Sequence, residues 1–582
     1  MMNSRYPLQL IGVLIIAFCA FGCSGGKIPL IGEITGPSGV TENYTVEYYI
    51  NVEKSNGTTF LWSCDPPGAG ELGSPVLPKT TFKAGLVEND TQITISVLVE
   101  SVQFGPVLKS REILILNKPP TAKETESWTR TWGGYGNERS HAIYVDEYGN
   151  SFITGYFSGM VDFDPSSDID KRTSQGDTDI FLCKYNYNGD YQWAITWGGA
   201  GQDKGNGITL DKNGYIYITG NFSGTVDFDP GPVVVNRTSF ADNDVFLIKL
   251  DFDGNLFWAN TWGGILGDVG FDVAVDDLGN VYVTGYFWDT VDFDPDFSED
   301  IHVSLGENDA FISKFDSYGR LIWAYTWGSY SQQQGRGVEI DNEGNIYVTG
   351  KAAGTVDYDP GPGVDKIYGV QYSKAYLSKF DASGDYQWVR TWAGKSEDIN
   401  GYCIDIDNSG NIYIAGSCGG KVDFDPGPEL DEYVSSKGSD IYITKFDSAG
   451  NHLWAHGWGG AGHDRAFALA TDNDENVYVA GAYRNTVDFD PGEQVDERIS
   501  NGNSDMFLSK FDASGELHWA YTLGAGAFDA AYGIGTDYFG NVYFTGAFNY
   551  TIDFDPGNEI DYHASLGPND VFLSRIPVDG NW

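Results

Sequence analysis

Residues 225–232 read TVDFDPGP, and close copies of this stretch occur six more times along the chain. Each copy lies in a larger unit of four segments with alternating apolar and polar residues, which Gly or Asn turns separate. The unit recurs every 65 residues, with a single step of 66, because the first Asp of each copy falls at Asp162, Asp227, Asp292, Asp357, Asp423, Asp488 and Asp553. A period of this kind indicates a repeat architecture.

The repeat predicts an all-β fold, because no unit contains a useful helical periodicity. Four antiparallel strands in each unit favour a closed ring, since closure leaves only short strand edges exposed. We therefore predict a seven-bladed β-propeller of four-stranded blades over residues 127–582. The repeat begins in mid-unit at Trp128, and the last copy stops just before the equivalent strand. The first and last strands are expected to share one blade.

Three segments carry a resemblance to a known family: GNVYVTGYF at 279–287, GNIYVTG at 344–350 and DVFLIKLDFDGNLFWANTWGG at 244–264. In these segments the chain resembles the SBBP repeat family, the seven-bladed propeller repeats of bacterial exported proteins. The resemblance extends over all seven units and implies the fold. It implies little about biochemistry, because propellers serve as binding modules and as enzymes.

The residues before the repeat predict an export signal and a small domain. An apolar run ends at Ala20-Phe21-Gly22-Cys23, which resembles a bacterial lipobox, so residues 1–22 are predicted to be a lipoprotein-type signal and Cys23 the lipidated residue. A plain secretory signal is the alternative. Residues 23–30 would form a tether, 31–117 an Ig-like or PKD-like β-sandwich, and 118–126 a linker.

The charge of the chain limits its partners. There are 82 acidic and 35 basic residues, which gives a formal net charge of −47. Such a charge repels phosphate backbones, so nucleic acid is excluded as a partner. It serves as a solubilising surface or attracts cations, and calcium is the cation that suits carboxylate-rich loops.

The repeated Asp residues have two interpretations. In the first, Asp-Pro-Gly is a turn with its Gly at positive φ, and the carboxylates cap backbone amides. In the second, the two motif carboxylates meet a third Asp, 17 residues after the first, at a hairpin mouth and bind calcium. The candidate calcium ligands are Asp162, Asp164, Asp179, Asp227, Asp229, Asp244, Asp292, Asp294, Asp309, Asp423, Asp425, Asp440, Asp488, Asp490, Asp505, Asp553, Asp555 and Asp570.

Other residues stand out because they break the repeat. Trp288 replaces a small or polar loop residue, and Lys351 replaces an aromatic one. Lys374 stands where the other units have the third Asp, so an ammonium would replace the cation or form a salt bridge. These three are candidate ligand contacts. The repeated Trp pairs, such as Trp258 and Trp262, are expected to fill the gaps between blades.

These features together favour a non-catalytic lipoprotein of the cell envelope, at the outer membrane or the cell surface. It would be a monomer, anchored through Cys23, whose propeller binds a protein or a glycan. No catalytic motif is present. The alternative is a glycan- or peptide-active propeller enzyme, a hydrolase or lyase, that uses the mouth of the channel. A cluster of unlike polar groups facing the channel would favour that alternative, and a uniform ring would exclude it.

Overall fold

The computed structural model describes strands within residues 31–116 by their backbone, and it describes residues 126–582 apart from 297, 370, 371, 395, 396, 493, 558 and 581. The predicted signal, the tether with Cys23, and the linker up to residue 125 lie outside the described residues. The described segments contain only strands, turns and bends. Among them no helix is long and apolar enough to span a membrane.

The N-terminal region contains eight strands in two four-stranded sheets. They are β1 (Ile31–Thr35), β2 (Gly39–Thr41), β3 (Thr45–Val52), β4 (Thr59–Asp65), β5 (Gly70–Leu72), β6 (Lys79–Ala84), β7 (Thr91–Ser101) and β8 (Phe104–Leu116). The sheet orders are β1-β3-β6-β5 and β2-β8-β7-β4, and all pairs are antiparallel except β2 with β8. The Ig-like or PKD-like character of this region stays a prediction.

The repeat region is built from antiparallel groups of four strands. The innermost strand of each group, called an inner strand here, lines the centre of the molecule. The inner strands are β10 (Arg139–Val145), β16 (Lys204–Leu210), β20 (Val269–Val275), β26 (Gln333–Ile340), β32 (Ile399–Ile406), β36 (Arg465–Thr471) and β42 (Ala530–Thr536).

The second strand of each group pairs with the inner strand, and the third and fourth follow outward. The second strands are β11 (Ser151–Phe157), β17 (Ile216–Asp227), β21 (Val281–Phe287), β27 (Ile346–Ala352), β33 (Ile412–Asp423), β37 (Val477–Tyr483) and β43 (Val542–Phe548). The third are β14 (Asp179–Tyr185), β18 (Asn236–Leu250), β24 (Asp309–Phe315), β30 (Lys374–Phe380), β34 (Glu432–Phe446), β40 (Asp505–Phe511) and β46 (Asp570–Ile576). The fourth are β15 (Tyr191–Trp197), β19 (Leu256–Trp262), β25 (Leu321–Trp327), β31 (Tyr386–Gly394), β35 (His452–Trp458), β41 (Leu517–Leu523) and β9 (Trp128–Gly134).

Short hairpins follow several second strands and contain the DFDPG motif. In two groups the hairpin is the end of the long second and third strands, β17 with β18 and β33 with β34. In the other five it is a separate pair of strands: β12 (Met160–Asp162) with β13 (Lys171–Thr173), β22 (Thr290–Asp292) with β23 (Ile301–Val303), β28 (Val356–Asp357) with β29 (Lys366–Ile367), β38 (Thr486–Asp488) with β39 (Glu497–Ile499), and β44 (Thr551–Asp553) with β45 (Tyr562–Ala564).

The sheets are not all separate. β31 runs on to Gly394 and pairs with β33 through Ala393–Asp423 and Gly394–Val422, which joins two groups into one eight-stranded sheet. β12 pairs with β9 through Val161–Gly134, and this makes a six-stranded sheet that also contains β46, β43 and β42. Within the described residues the expectation of one separate sheet per repeat is therefore wrong, because edge strands reach across to the neighbouring hairpin.

The arrangement is a β-propeller. Each inner strand contacts the inner strand of the next group, and β42 contacts β10, so the sheets surround a central channel. β9 pairs with β46, for example through Trp132–Val571 and Trp128–Arg575, so the first and last strands of the repeat region share a sheet. The hydrophobic clusters lie between neighbouring groups: one contains Leu182 and Trp197 of one group with Phe228 and Phe246 of the next.

The second Trp of each pair is deeply buried. Trp262 is 4% exposed, and Leu523, the natural replacement in one unit, is 6% exposed. The first Trp, such as Trp258, is half-buried and packs against the same clusters. These side chains fill the space between adjacent groups.

Candidate functional site

A cavity of about 500 Å³ lies in the central channel. It is lined by residues of the inner strands. Each inner strand contains a register shift against its second strand, as between Ser140 and Ala142 in β10. A bulge of this kind turns one side chain out of the regular alternation. We call the residues at the shifts the channel ring: His141, Asn206, Phe271, Arg336, Tyr402, Phe467 and Tyr532.

The members of the channel ring contact one another around one half of the channel. The Arg336 guanidinium lies 3.9 Å from the ring centre of Phe271 and 5.8 Å from that of Tyr402. Ring centres are 6.0 Å apart between Tyr402 and Phe467, and 5.0 Å apart between Phe467 and Tyr532. All of these side chains are half-buried.

The other half of the channel ring closes through histidine and asparagine. The rings of Tyr532 and His141 are 6.4 Å apart, and His141 Nδ1 lies 3.0 Å from Asn206 Oδ1. Asn206 Nδ2 in turn donates to the carbonyl of Gly270, next to Phe271. The flanking residues are uniform, with Ser, Gly or Ala before each ring residue and a buried aliphatic residue two positions after it. The ring residues themselves are of five types: one His, one Asn, one Arg, two Phe and two Tyr.

Five basic side chains lie in or near the channel ring: three start inner strands, Arg336 belongs to the ring, and Lys351 lies on the second strand β27. We call them the basic mouth: Arg139, Lys204, Arg336, Lys351 and Arg465. Arg139 lies 4.5 Å from the ring centre of Tyr532, and Lys204 lies 5.4 Å from that of Tyr156. Lys351 is on β27 opposite Gln334 of β26.

The electrostatics show that these cations act on one another. Burial, with Arg139 and Lys204 nearby, lowers the pKa of His141 to about 3. Burial and then Arg336 lower the pKa of Lys351, against a smaller opposing effect of Asp398. Burial and then Arg139 lower the pKa of Lys204. The mouth is thus a positively charged surface on a strongly acidic protein.

Three carboxyl groups lie deeper in the channel, on three successive inner strands. We call Asp272, Glu339 and Asp405 the channel acids. Burial raises the pKa of Asp272 and of Asp405 to about 6. Burial, Asp405 and Asp272 raise the pKa of Glu339 well above its usual range.

Two of the channel acids also support the scaffold. Asp272 accepts a hydrogen bond from the backbone amide of Val338 (3.0 Å), and Asp405 accepts two from the amide and hydroxyl of Thr471. Tyr144 faces them from β10, and burial with nearby carboxylates, Glu339 among them, raises its pKa. Among the described residues no group of three His, Cys, Asp or Glu has a geometry that would hold a metal ion.

The structure separates the Asp residues predicted to converge on calcium. Asp227 lies opposite Asn236, whereas Asp244 lies opposite Phe222, five residues away along β17. At about 3.3 Å per residue this is roughly 16 Å. The prediction that the three carboxylates meet at one hairpin mouth is therefore wrong, because the hairpin continues beyond the motif instead of closing there.

The motif carboxylates instead bind backbone amides. Asp227 Oδ1 accepts from the amide of Val235, eight residues ahead, and Asp229 Oδ1 accepts from that of Gly231. The same eight-residue bond forms from Asp162, Asp292, Asp357, Asp423, Asp488 and Asp553. The aromatic residue between the two Asp, such as Phe228, is fully buried. The motif Gly is not at positive φ, so the type II turn was a wrong prediction.

The third Asp belongs to a different structure that the sequence reasoning missed. Asp244 lies against Gly263 and interacts electrostatically with buried Asp268, whose Oδ1 and Oδ2 accept from the amides of Trp288 and Gly264. Such acid pairs, which we call junction acids, lie between neighbouring groups. They are Asp179 with Asp203, Asp244 with Asp268, Asp440 with Asp464, Asp505 with Asp529, and Asp570 with Glu138.

Two junctions differ, and both avoid a pair of carboxylates. Gln333 stands at the position of Asp268, where it accepts from the amide of Ser329 and donates to the carbonyl of Ala353. Ile399 stands at the equivalent position, where its amide donates to the carbonyl of Ser373, the residue before Lys374. The Lys374 ammonium donates to the carbonyl of Tyr368 (2.8 Å). The sequence feature that marks the second acid of each junction is an Asp or Glu repeated four residues after the second Gly of W-G-G.

The remaining predicted contacts have separate positions. Trp288 is half-buried, and its amide donates to Asp268, away from the channel acids. Lys351 belongs to the basic mouth. Cys403 lines the channel cavity, and it and Cys418 are free thiols. The channel ring itself was missed, because its position holds five different residue types in the seven repeats and so leaves no periodic signal.

Comparison with known proteins gives limited similarity. A family model described as "Beta-propeller repeat" matches residues 192–221. The chain is 21% identical over 530 residues to an uncharacterised WD repeat-containing protein of Acanthamoeba polyphaga mimivirus, covering 75% of this chain and 37% of that protein. It is 24% identical over 209 residues to the regulatory protein FlaEY of Caulobacter vibrioides, covering 34% of this chain and 22% of that protein. The chain thus spans about a third or less of these relatives.

One solved structure covers nearly the whole chain. It is a structural genomics protein of unknown function from Bacteroides thetaiotaomicron, with 10% identity, a TM-score of 0.29, and coverage of 93% of this chain and 98% of that one.

Proposed function

We propose that the protein is an exported, non-catalytic cell-envelope protein whose propeller is an interaction platform, with its ligand site at the channel ring. Its seven-fold repeat favours seven blades, two of them within the eight-stranded sheet. A lipid at Cys23 anchors the protein, the N-terminal domain is an Ig-like or PKD-like stalk, and the protein is a monomer. The sequence of residues 1–30 supports export, and the seven-fold repeat supports the blade count.

The observation that carries the binding function is the contrast within each inner strand. Small residues before the bulge and aliphatic residues after it are shared by all copies, and they are enough to build the strand. At the bulge the side chains are His, Asn, Phe, Arg, Tyr, Phe and Tyr, all facing one cavity. A largely formed cavity with a few convergent polar groups is the usual form of a small-ligand site.

Calorimetric titration of the purified full chain against a panel of oligosaccharides and peptides tests this proposal. Phe467→Ala removes an aromatic face of the channel ring and is expected to weaken the binding of any ligand found. Phe240→Ala is the matched control, because Phe240 is 73% exposed and lies outside the channel cavity. A ligand that binds equally to wild type and to Phe467→Ala would place the site elsewhere.

The channel acids favour a second candidate function, a glycan- or peptide-active hydrolase or lyase. The raised pKa of Glu339 would keep its carboxyl protonated, as a general acid requires. The unlike polar groups of the channel ring point the same way. If the protein is such an enzyme, Glu339→Gln should still bind the oligosaccharide or peptide but should no longer cleave it. If the protein only binds its ligand, the wild type should form no product.

A further inference from the structure

The basic mouth brings several cations together near the channel ring. Some basic side chains elsewhere in the described chain meet carboxylates, as in Arg172–Asp170 at 2.8 Å and Lys421–Glu432 at 2.6 Å, whereas others, such as Lys379 and Arg390, donate to backbone carbonyls. None of the five cations of the basic mouth forms an ion pair with a described residue, although acids outnumber bases by 82 to 35 in the sequence. Unpaired like charges on a shared surface destabilise the free protein, and an anion relieves this repulsion.

Arg336 is the best-positioned of these cations. Its Nε and Nη2 both donate to Gln334 Oε1, at 3.0 and 2.6 Å, which fixes the guanidinium plane over Phe271. Lys351 lies opposite Gln334 on β27, and the charge of Arg336 acts on its ammonium. A fixed guanidinium beside an ammonium suits the oxygens of a carboxylate or sulfate.

The rest of the cavity defines the body of the ligand. Tyr402, Phe467 and Tyr532 offer aromatic surface at the level of the cations. The channel acids below them offer oxygen acceptors, which hydroxyl donors satisfy. One end of the site therefore attracts an anion, and the other accepts hydrogen bonds from a body rich in hydroxyl groups.

We infer that the ligand is an acidic saccharide, with its carboxylate or sulfate at the basic mouth and its hydroxyl groups directed toward the channel acids. This inference rests on the proposed binding function. An acidic peptide would satisfy the mouth, but it carries few hydroxyl donors for the channel acids. The cavity volume fits a short oligosaccharide.

Titration calorimetry with the full chain tests the inference. The carboxylate probe is trigalacturonic acid and its matched neutral probe is the fully methyl-esterified trisaccharide, while a sulfated disaccharide and triglutamate form the other arms. Trigalacturonate or the sulfated disaccharide is expected to bind, and the ester about tenfold or more weakly than the acid. Which of the two anions binds more tightly distinguishes carboxylate from sulfate, and binding of either is expected to weaken with added salt.

Variants locate the anion. Arg336→Gln is expected to weaken acid binding about tenfold or more, and Lys351→Gln supplies a second test if the first variant melts at a clearly lower temperature. Arg320→Gln removes the same charge from an exposed pair with Asp316 and is expected to have no effect.

Each contrary result has a separate meaning. Equal binding of acid and ester, or triglutamate binding as tightly as the saccharide acids, would overturn the inference and leave the binding function standing. If neither saccharide acid binds while a neutral glycan or a peptide binds at the channel ring, the inference is likewise overturned and the binding function stands. If no member of any class binds, the inference and the proposed function both fail.

Discussion

The junction acid Glu138 gives a quantitative prediction about stability and pH. Its side chain is fully buried between the first and last groups, where its Oε2 accepts from the amide of Gly134 at 3.0 Å. Burial, and less strongly Asp570, raise the pKa of Glu138 from 4.5 to about 8. A weaker effect of the Ser158 backbone, like that of Gly134, opposes this rise in the pKa.

A carboxyl group with a raised pKa in the folded state holds its proton more tightly there than in the unfolded chain. Its contribution to stability is therefore complete below about pH 4.5 and is lost as the pH rises to about 8. At about 1.4 kcal/mol per pKa unit, the shift corresponds to about 5 kcal/mol, of which about 4 kcal/mol is lost between pH 5 and pH 9. With an unfolding entropy of about 1 kcal/mol/K for a domain of this size, the melting temperature should change by about 4 °C.

Glu138→Gln should remove this dependence. Gln333 occupies the equivalent position in another group with a complete set of hydrogen bonds, so the neutral side chain fits the site. Calorimetric melting of wild type and variant at pH 5 and pH 9 measures the effect, and the wild type should lose about 4 °C more than the variant. Glu516→Gln, at an exposed turn, is the control and should melt in parallel with the wild type. Equal pH responses of wild type and Glu138→Gln would refute the reasoning.

Three further predictions concern packing and closure. Gly263→Ala would press its Cβ against Asp244 Oδ1 and should destabilise the fold by about 1–3 kcal/mol in denaturant titrations. Gly267→Ala is the control, because the atom nearest to its Cβ would be 3.8 Å away, and it should not change the midpoint. An unchanged midpoint for Gly263→Ala would contradict this packing. Trp262→Ala should destabilise by about 3–5 kcal/mol and Trp262→Leu by less, because Leu523 fills the same position in another unit; equal losses would mean that the indole is not packed as described. The double variant Thr129→Cys with Ser574→Cys replaces two hydroxyls that lie 2.9 Å apart on paired strands. Its oxidised form should melt several degrees above its reduced form, with up to about 5 kcal/mol of added stability. Equal melting of the two forms would show that separation of the first and last strands of the repeat region does not limit unfolding.

The sequence predicted those features that depend on local, repeated chemistry. The 65-residue step identifies the repeated strands, and the Asp-Pro-Gly turns use their carboxylates on nearby amides, as between Asp227 and Val235. The i and i+4 spacing of Trp258 and Trp262 placed both side chains against the same core. The turn and the Trp pair depend on residues within about ten positions of one another, and the repeat copies them along the chain.

The prediction that the Asp residues converge was wrong because strand register decides which of them lie close together. Asp227 and Asp244 keep a fixed spacing, and a fixed spacing was taken for spatial proximity. In the structure each is held by its own amide donor, Val235 and Phe240 respectively, at opposite ends of the long hairpin. The repeated acid after W-G-G marks Asp268 in the sequence, but not as the partner of Asp244, because Asp268 belongs to the next unit and becomes its neighbour only when the groups pack.

The junction acids and the channel acids differ in how they vary between repeats, and this difference distinguishes residues that build the ring from residues that line the candidate site. At the junctions, substitutions occur together: where Lys374 replaces an acid, its neighbour is Ile399, and where Asp309 is kept, Gln333 faces it. Compensation of this kind preserves the packing of the ring. In the channel, Asp272, Glu339 and Asp405 occur on three successive strands, without counterparts on the other four. Because the other four inner strands form without such residues, the channel is where chemistry beyond folding is to be sought.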